Sequence, residues 1–187
     1  TEIASKNIEH ISFDITSDVD HQKFINYCKT NKIEIDILIN NAGLLINKTF
    51  KEITVEDFQK IYNVNLFGVV KLIKTLFEFF STDAHIVNIS SIGGVNGSKK
   101  FPGLSAYSSS KAAVIALTEV LAEEYQDGPS FNVLALGSVQ TKMLKEAFPD
   151  YNSDTKPEDM AKYILNFAIN GNKLFNGKLI SVSNSNP

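Results

Sequence analysis

Short runs of apolar, mostly β-branched residues alternate along the chain with longer amphipathic stretches, and this alternation restricts the possible folds more than any other feature. The runs are continuously apolar, as expected of strands that helices cover on both faces. Strands that alternate with helices in this way are typical of a parallel sheet. The predicted strands are Ile8–Phe13, Asp36–Asn40, His85–Ser90, Phe131–Leu136 and Lys178–Val182.

The longer stretches predict helices. Thr54 and Asp57 have the spacing of a capping box, and apolar residues recur at helical spacing from there to Phe80. Gly128-Pro129 ends another helix, because glycine permits the closing turn and proline has no N–H to continue the helix. The predicted helices are Asp18–Thr30, Thr54–Phe80, Ser105–Gln126 and Pro157–Gly171. We therefore expect an α/β fold with helices on both faces of the sheet.

Composition excludes several classes of protein. A chain of 187 residues with 43% apolar and 21% charged residues is sized and composed for one globular domain. The net charge is −3 and all 18 basic residues are lysines, so no arginine fork is available for phosphate or guanine and we expect no nucleic-acid partner. Membrane-spanning and signal-peptide patterns are missing, and the single Cys28 cannot form an internal disulfide. These features favour a cytoplasmic location.

Tyr107 and Lys111 are four residues apart in a predicted helix, which places a phenol and an ammonium group on the same face. A nearby positive charge favours phenolate and would lower the pKa of Tyr107 from its ordinary value of about 10. A phenol with a lowered pKa can exchange a proton with a substrate oxygen. The composition gives such a pair about 0.6 times by chance, so the neighbouring motifs must decide its meaning.

Two further motifs follow predicted strands at the carboxyl edge of the sheet, where open α/β proteins bind ligands. The Ser91 hydroxyl could donate to a carbonyl oxygen there, although a serine at a strand end more often closes a local turn. Asn40-Asn41-Ala42-Gly43 is expected by chance only about 0.006 times and is the most specific string present. Its alternative interpretation is a simple turn that ends the strand.

Asn63 and Asn65 lie inside the predicted helix Thr54–Phe80, although asparagine is a weak helix former. A residue that disfavours helices but stands inside one is either functional or exposed to solvent. For Asn65 both interpretations stay open. The three histidines do not cluster with acidic residues or with the cysteine, so we expect no metal site and no hydrolytic triad.

Together these residues resemble the short-chain dehydrogenase/reductase family, and the resemblance covers essentially the whole chain. The matching motifs are Asp14-Ile15, Asn40-Asn41-Ala42-Gly43, Asn65 in Asn-Leu-Phe-Gly, Ser91, Tyr107 with Lys111, and Leu136-Gly137-Ser138-Val139-Gln140-Thr141. Their order and approximate spacing agree jointly, which makes individually weak signals strong. The resemblance implies a Rossmann-like, doubly wound parallel sheet in three α/β/α layers, formed as one domain by residues 1–187.

The resemblance also implies the roles of individual residues. The implied catalytic residues are Asn65, Ser91, Tyr107 and Lys111. Tyr107 would act as general acid or base, Ser91 would orient the substrate oxygen, and Asn65 would hold a proton-relaying water. Lys111 would bind the nicotinamide ribose and lower the pKa of Tyr107. The cofactor, NAD or NADP, would contact Asp14, at the adenine ring, and Ile15, Asn41, Ala42, Gly43, Tyr107, Lys111, Gly137, Val139 and Thr141.

The chain departs from the family pattern in several places. The family opens with a strand, a TGxxxGxG turn, a helix and a second strand, and this sequence starts after them, so we expect the domain to be N-terminally incomplete. The residue that separates NAD from NADP falls in that part. Leu136 replaces the usual proline, Lys99-Lys100-Phe101 lengthens the loop between Ser91 and Tyr107, and the segment 142–155 is a short lid.

The resemblance predicts an NAD(P)-dependent oxidoreductase that moves hydride between nicotinamide and a carbonyl or secondary alcohol. A catalytically silent scaffold that acts through binding or assembly is the main alternative, motivated by the absent phosphate loop and by Leu136. A dehydratase or epimerase of the same fold is a third hypothesis. The expected partners are a small-molecule substrate and further copies of the chain, in a homodimer or homotetramer.

Overall fold

The computed structural model describes residues 8–184, and its centre is a four-stranded parallel sheet in the order β1-β2-β3-β4. The strands are β1 (Ile35–Asn40), β2 (Phe80–Ser91), β3 (Ser130–Leu136) and β4 (Leu179–Val182). The strand order follows the chain order, so each crossover places the next strand beside the one before it. The sequence predicts all of these strands.

Helices connect the strands. They are α1 (Asp18–Asn31), α2 (Val55–Tyr62), α3 (Gly68–Leu76), α4 (Ser105–Glu124), α5 (Lys142–Ala147) and α6 (Pro157–Asn170). A π-helical segment, Asn63–Phe67, joins α2 to α3, and short 3₁₀ turns occupy Phe77–Phe79, Ile92–Gly94 and Gly171–Lys173. The predicted capping box is present at Thr54 and Asp57. The stretch Thr54–Phe80, predicted as one helix, is therefore a succession of α-helical, π-helical and 3₁₀-helical segments without an intervening loop.

Both faces of the sheet are covered. On one face, Ile86 and Phe131 pack with Val69 and Ile73 of α3 and with Ala122 of α4. On the other face, β2 and β3 pack against α6 through a second cluster of apolar residues: Val87, Ile89, Leu134, Phe167 and Ala168. Because adjacent residues of a strand point to opposite faces, the continuous apolar runs supply both clusters. The result is the expected three-layer α/β/α architecture.

The prediction of a strand at Ile8–Phe13 is wrong. These residues have no regular secondary structure and pair with none of the four strands described over residues 8–184. Ile8 is 62% exposed and Ile11 is 49% exposed. A strand needs neighbouring main-chain donors and acceptors, and the segment instead leads into α1, which packs against α3. An apolar β-branched run alone therefore did not determine the structure here.

The middle of β2 carries a buried polar network that faces α6. The ring of His85 is 1% exposed, and its Nδ1 lies 2.9 Å from the Ala168 carbonyl oxygen. Nε2 lies 3.0 Å from Asn132 Nδ2. The carbonyl can only accept, so Nδ1 carries the proton and Nε2 accepts from the amide. Burial lowers the pKa of His85 below its ordinary 6.5, against a smaller opposing effect of the Ala168 carbonyl.

We predict that His85 makes the fold sensitive to acid. Because its pKa is lowered on folding, the unfolded chain takes up a proton below pH 6.5 before the folded chain does. The free energy of unfolding should therefore fall with decreasing pH, by at most about 1.4 kcal/mol per pH unit from this group. Urea unfolding of wild type and His85→Gln between pH 7.5 and 5 tests this. Parallel pH profiles for the two proteins would contradict the prediction.

Candidate active site

The side chain of Asn65 lies inside the protein because the helix that carries it changes its winding. Asn65 belongs to the π-helical segment, in which the Gly68 N–H bonds to the Asn63 carbonyl five residues earlier. Asn65 is 0% exposed, whereas Asn63 is exposed. Solvent exposure thus accounts for Asn63 but not for Asn65. π-bulges of this kind occur frequently at functional sites.

Asn65 connects three segments of the site. Its Oδ1 accepts from the Leu44 N–H at 2.7 Å, and its Nδ2 donates to the Leu44 carbonyl at 3.0 Å. Nδ2 also donates to Ser110 Oγ at 2.9 Å, and Ser110 in turn donates to the Tyr107 carbonyl at 2.7 Å. The amide therefore fixes the segment after β1 to the first turns of α4. The sequence does not predict the hydrogen bonds of Ser110, although the run Ser108-Ser109-Ser110 between Tyr107 and Lys111 pointed to hydroxyl groups near the site.

Lys111 is buried between β2 and α4. The residue is only 4% exposed. Its Nζ donates a hydrogen bond of 2.8 Å to the Ile89 carbonyl. The main chain of Lys111 accepts from Ser90 Oγ at 2.8 Å. Burial lowers the pKa of Lys111 from 10.5 to about 8. The ammonium group is thus held under the sheet edge at a considerable cost in solvation.

Tyr107 and Lys111 do share one side of α4, since Lys111 Nζ lies 5.9 Å from the centre of the Tyr107 ring. The expected lowering of the Tyr107 pKa by Lys111 is nevertheless wrong. Burial raises the pKa of Tyr107 above 10, and a hydrogen bond with Ser91 opposes this rise in part. The desolvation of the phenol therefore outweighs any effect of the ammonium group, and Tyr107 is neutral near pH 7.

Ser91 closes a turn, which is one of the two interpretations that the sequence left open. Its Oγ accepts from the Gly93 N–H at 3.2 Å and so closes the turn at the end of β2. Its hydroxyl also faces the phenol of Tyr107 and opposes the rise of the Tyr107 pKa in part. The turn itself requires glycine, because a side chain at Gly94 would come within 2.8 Å of the Lys111 main chain. The turn thereby holds Ser91 against the start of α4.

The remaining predicted residues surround this centre. Asn41 and Ala42 are exposed at the carboxyl end of β1, and a side chain at Gly43 would lie 3.7 Å from both Asn65 Oδ1 and Lys111 Nζ. Asp14 is exposed and Ile15 is buried in a turn that precedes α1.

The loop after β3 contains Gly137, Val139 and Thr141. Gly137 needs its lack of a side chain, because a Cβ there would come within 2.6 Å of Ser183 Oγ. The Gly137 N–H donates to the Val182 carbonyl at 2.9 Å, so the turn is anchored although Leu136 stands where the family has proline. Thr141 caps the N-terminus of α5, since its Oγ1 accepts from the Leu144 N–H at 3.2 Å.

Residues 8–184 contain neither a candidate metal site nor a candidate membrane-spanning helix. Over this range, His, Cys, Asp and Glu side chains form no group of three or more that could hold a metal ion. In the same part of the chain, no helix has both the length and the apolar character needed to cross a bilayer.

Comparison with known proteins identifies the family. The family model described as short chain dehydrogenase matches residues 1–152. L-2,3-butanediol dehydrogenase of Corynebacterium glutamicum is 29% identical over 206 aligned residues, which span 97% of this chain and 79% of that protein. A Staphylococcus aureus diacetyl reductase, described as (S)-acetoin forming, is 39% identical over 116 residues, 60% of this chain and 44% of that protein.

A solved structure supports the same assignment. An Escherichia coli CFT073 protein, described as a short chain dehydrogenase and solved in complex with NADPH, superposes with a TM-score of 0.80 at 25% identity. The match covers 90% of this chain and 72% of that one. The chain belongs to the short chain dehydrogenase family, and the resemblance inferred from its motifs is confirmed.

We predict that Lys111→Met stabilises the protein near neutral pH. The lowered pKa means that burying the charged amine opposes folding, by up to about 3 kcal/mol, whereas methionine buries no charge. After the loss of one hydrogen bond we expect a net gain of about 1–3 kcal/mol at pH 7. Since the wild type regains this stability as pH rises from 8 towards 10.5, the gain should shrink over that range. Urea unfolding at pH 7 and pH 10 measures it, and a less stable variant at pH 7 would contradict it.

Proposed function

We propose that this chain is an NAD(P)-dependent oxidoreductase that interconverts a small carbonyl compound and its secondary alcohol. The observation that carries the proposal is the meeting of Tyr107, Ser91, Lys111 and Asn65 at the carboxyl edge of one parallel sheet. Family membership supports the same activity. A catalytically silent protein would gain nothing from burying the Lys111 amine, whose charge opposes folding.

The residues present suit the nicotinamide end of the cofactor. In the part of the chain that the structure describes, Lys111 Nζ has a single acceptor, the Ile89 carbonyl, although an ammonium group has three donors. Gly43, Asn65 and Lys111 approach one another around a position without a side chain. We infer that Lys111 and Tyr107 bind the ribose hydroxyls there and that Val139 and Thr141 hold the carboxamide. Bound nicotinamide supplies or accepts the hydride.

The same inference extends to the other end of the cofactor. Asp14 and Ile15 would contact the adenine ring, and Asn41, Ala42, Gly43 and Gly137 would line the path between the two ends. The turn that contains Ile15 supports this placement, because it packs on Gly68, three residues after Asn65. Adenine and the catalytic centre would thus be held by neighbouring parts of one helix.

Tyr107 acts as the proton donor when a carbonyl is reduced. Its hydroxyl is protonated at neutral pH, as a general acid must be, although the raised pKa makes it a weaker acid than a solvent-exposed tyrosine. Ser91 donates to the same substrate oxygen and holds it within reach of the phenol. Lys111 stabilises the phenolate as it forms, because its amine lies beside the ring. Asn65 and Ser110 fix the turn of α4 that carries Tyr107. Asn65 would also hold a water molecule that relays protons from solvent to the site.

We further propose that the substrate carries oxygens on adjacent carbons, as in a diketone, a hydroxyketone or a vicinal diol. The names of the butanediol dehydrogenase and the diacetyl reductase support this class. Residues 1–187 would act as one domain in a cytoplasmic homodimer or homotetramer. These last points remain predictions from the sequence.

Replacing Tyr107 by phenylalanine should lower kcat by about 100-fold or more, since general acid catalysis is lost. Affinity for NADH, measured by fluorescence titration, should fall by at most about tenfold, because the variant loses only the one hydrogen bond from the phenol to the ribose. Tyr125→Phe is the matched control at the other end of α4, where we expect an unchanged kcat. Near-normal turnover in Tyr107→Phe would remove this residue from the mechanism.

Oxidation of 2,3-butanediol should exceed that of 2-butanol by about tenfold in kcat/KM, because the second hydroxyl adds roughly one hydrogen bond to the enzyme. Both alcohols have the same carbon chain, so the comparison isolates that hydroxyl. Rates with NAD and NADP, measured side by side, identify the preferred cofactor. Equal kcat/KM values for the two alcohols would contradict the proposed substrate class.

A further inference from the structure

His21 is a buried histidine that the proposed reaction does not use. It lies in the first turns of α1 and is 3% exposed. Its Nε2 is 2.9 Å from the Ile15 carbonyl, and its Nδ1 is 3.0 Å from Thr75 Oγ1 of α3. The carbonyl accepts only, so Nε2 carries the proton, and Nδ1 accepts from the threonine hydroxyl. One imidazole thus joins α1, α3 and the turn that contains Ile15.

That turn is fixed by its own contacts as well. The Asp14 carboxylate accepts from the Thr16 N–H at 2.8 Å and from the Thr16 hydroxyl at 2.7 Å. These bonds lower the pKa of Asp14, so the carboxylate stays ionised and keeps its acceptor role. The turn is therefore locally ordered, but its own bonds do not determine where it lies relative to the rest of the site.

Three contacts attach the turn to α3, and one of them is the hydrogen bond of 3.3 Å that Lys71 Nζ of α3 donates to the Thr16 carbonyl. The side chain of Ile15 packs directly on Gly68, where a Cβ would come within 2.8 Å of Ile15 Cγ2. On the main-chain side, His21 holds the Ile15 carbonyl. Packing on Gly68 resists movement towards the helix, whereas the directional hydrogen bond from His21 resists rotation of the peptide. The orientation of Asp14 next to Ile15 depends on these contacts and on the hydrogen bond of 3.0 Å that the Asp14 N–H donates to Asp20 Oδ2.

We propose that His21 is a positioning residue for the adenosine half of the dinucleotide, which it serves by fixing the orientation of the Asp14–Ile15 turn. This inference rests on the proposed function, because it requires that the turn contact adenine. His21 acts on one half of the cofactor only. The nicotinamide half is held by Lys111 and Tyr107, which share no hydrogen bond with His21.

Comparing NADH with reduced nicotinamide mononucleotide, which lacks the adenosine half, tests this selectivity. We expect His21→Leu to raise the Kd of NADH about tenfold, the effect of about one hydrogen bond, and to leave the Kd of the mononucleotide within about twofold. Nicotinamide fluorescence measures both constants without turnover. His21→Gln retains an N–H that can reach the Ile15 carbonyl and should restore most of the NADH affinity.

Two further variants separate positioning from general stability. Cys28→Ala opens a cavity in the same helix, at a fully buried residue remote from the turn, and should lower stability without changing the ratio of the two Kd values. Thr75→Val removes the hydroxyl that donates to Nδ1 and tests the same link without altering the ring. It should raise the Kd of NADH alone, by about threefold.

The outcomes distinguish this inference from the proposed function. If wild type binds neither nucleotide, the proposed function fails and this inference with it. If wild type binds both and the His21 and Thr75 variants bind NADH normally, only the positioning role is wrong. Equal weakening of both nucleotides in these variants would indicate a merely structural role and would also overturn it.

Discussion

A buried amine organises the site. Lys111 must reach the end of β2 from α4, and three contacts bring the two elements together: its Nζ bonds the Ile89 carbonyl, its own carbonyl accepts from Ser90, and Gly94 lies against its main chain. Each contact fixes the helix to the strand at the edge where Ser91 stands. The stability lost by burying the charge is therefore coupled to the placement of the residues around it.

Burial acts on both ionisable groups of the site, in opposite directions. It raises the pKa of the Tyr107 phenol and lowers that of the Lys111 amine, so both changes favour the uncharged form. The two pKa values therefore move apart, and near pH 7 the phenol keeps its proton while the amine, with a pKa of about 8, is still mostly charged. A polar ligand that supplies acceptors to Nζ would favour its charged form again.

Much of the fold and of the site could be predicted from the sequence. Strands with continuous apolar runs, the capping box at Thr54 and the motif residues were all visible. The strand predicted at Ile8–Phe13 is wrong because a strand forms only beside neighbouring strands, and a local sequence pattern does not show those neighbours. The sign of the Tyr107 pKa shift was misread for a related reason, since spacing along a helix gives the nearby charge but not the depth of burial.

The π-helical segment has a consequence for how this chain can vary. Its wider winding accommodates an additional residue between the Thr54 cap and α3, and that residue determines which way Asn65 points. Losing one residue from the π-helical segment would return it to α-helical winding, in which each residue turns by about 100°, and Asn65 would no longer face Leu44. In this stretch the number of residues, and not only their identity, is part of the site, so deletions are far less tolerable than substitutions.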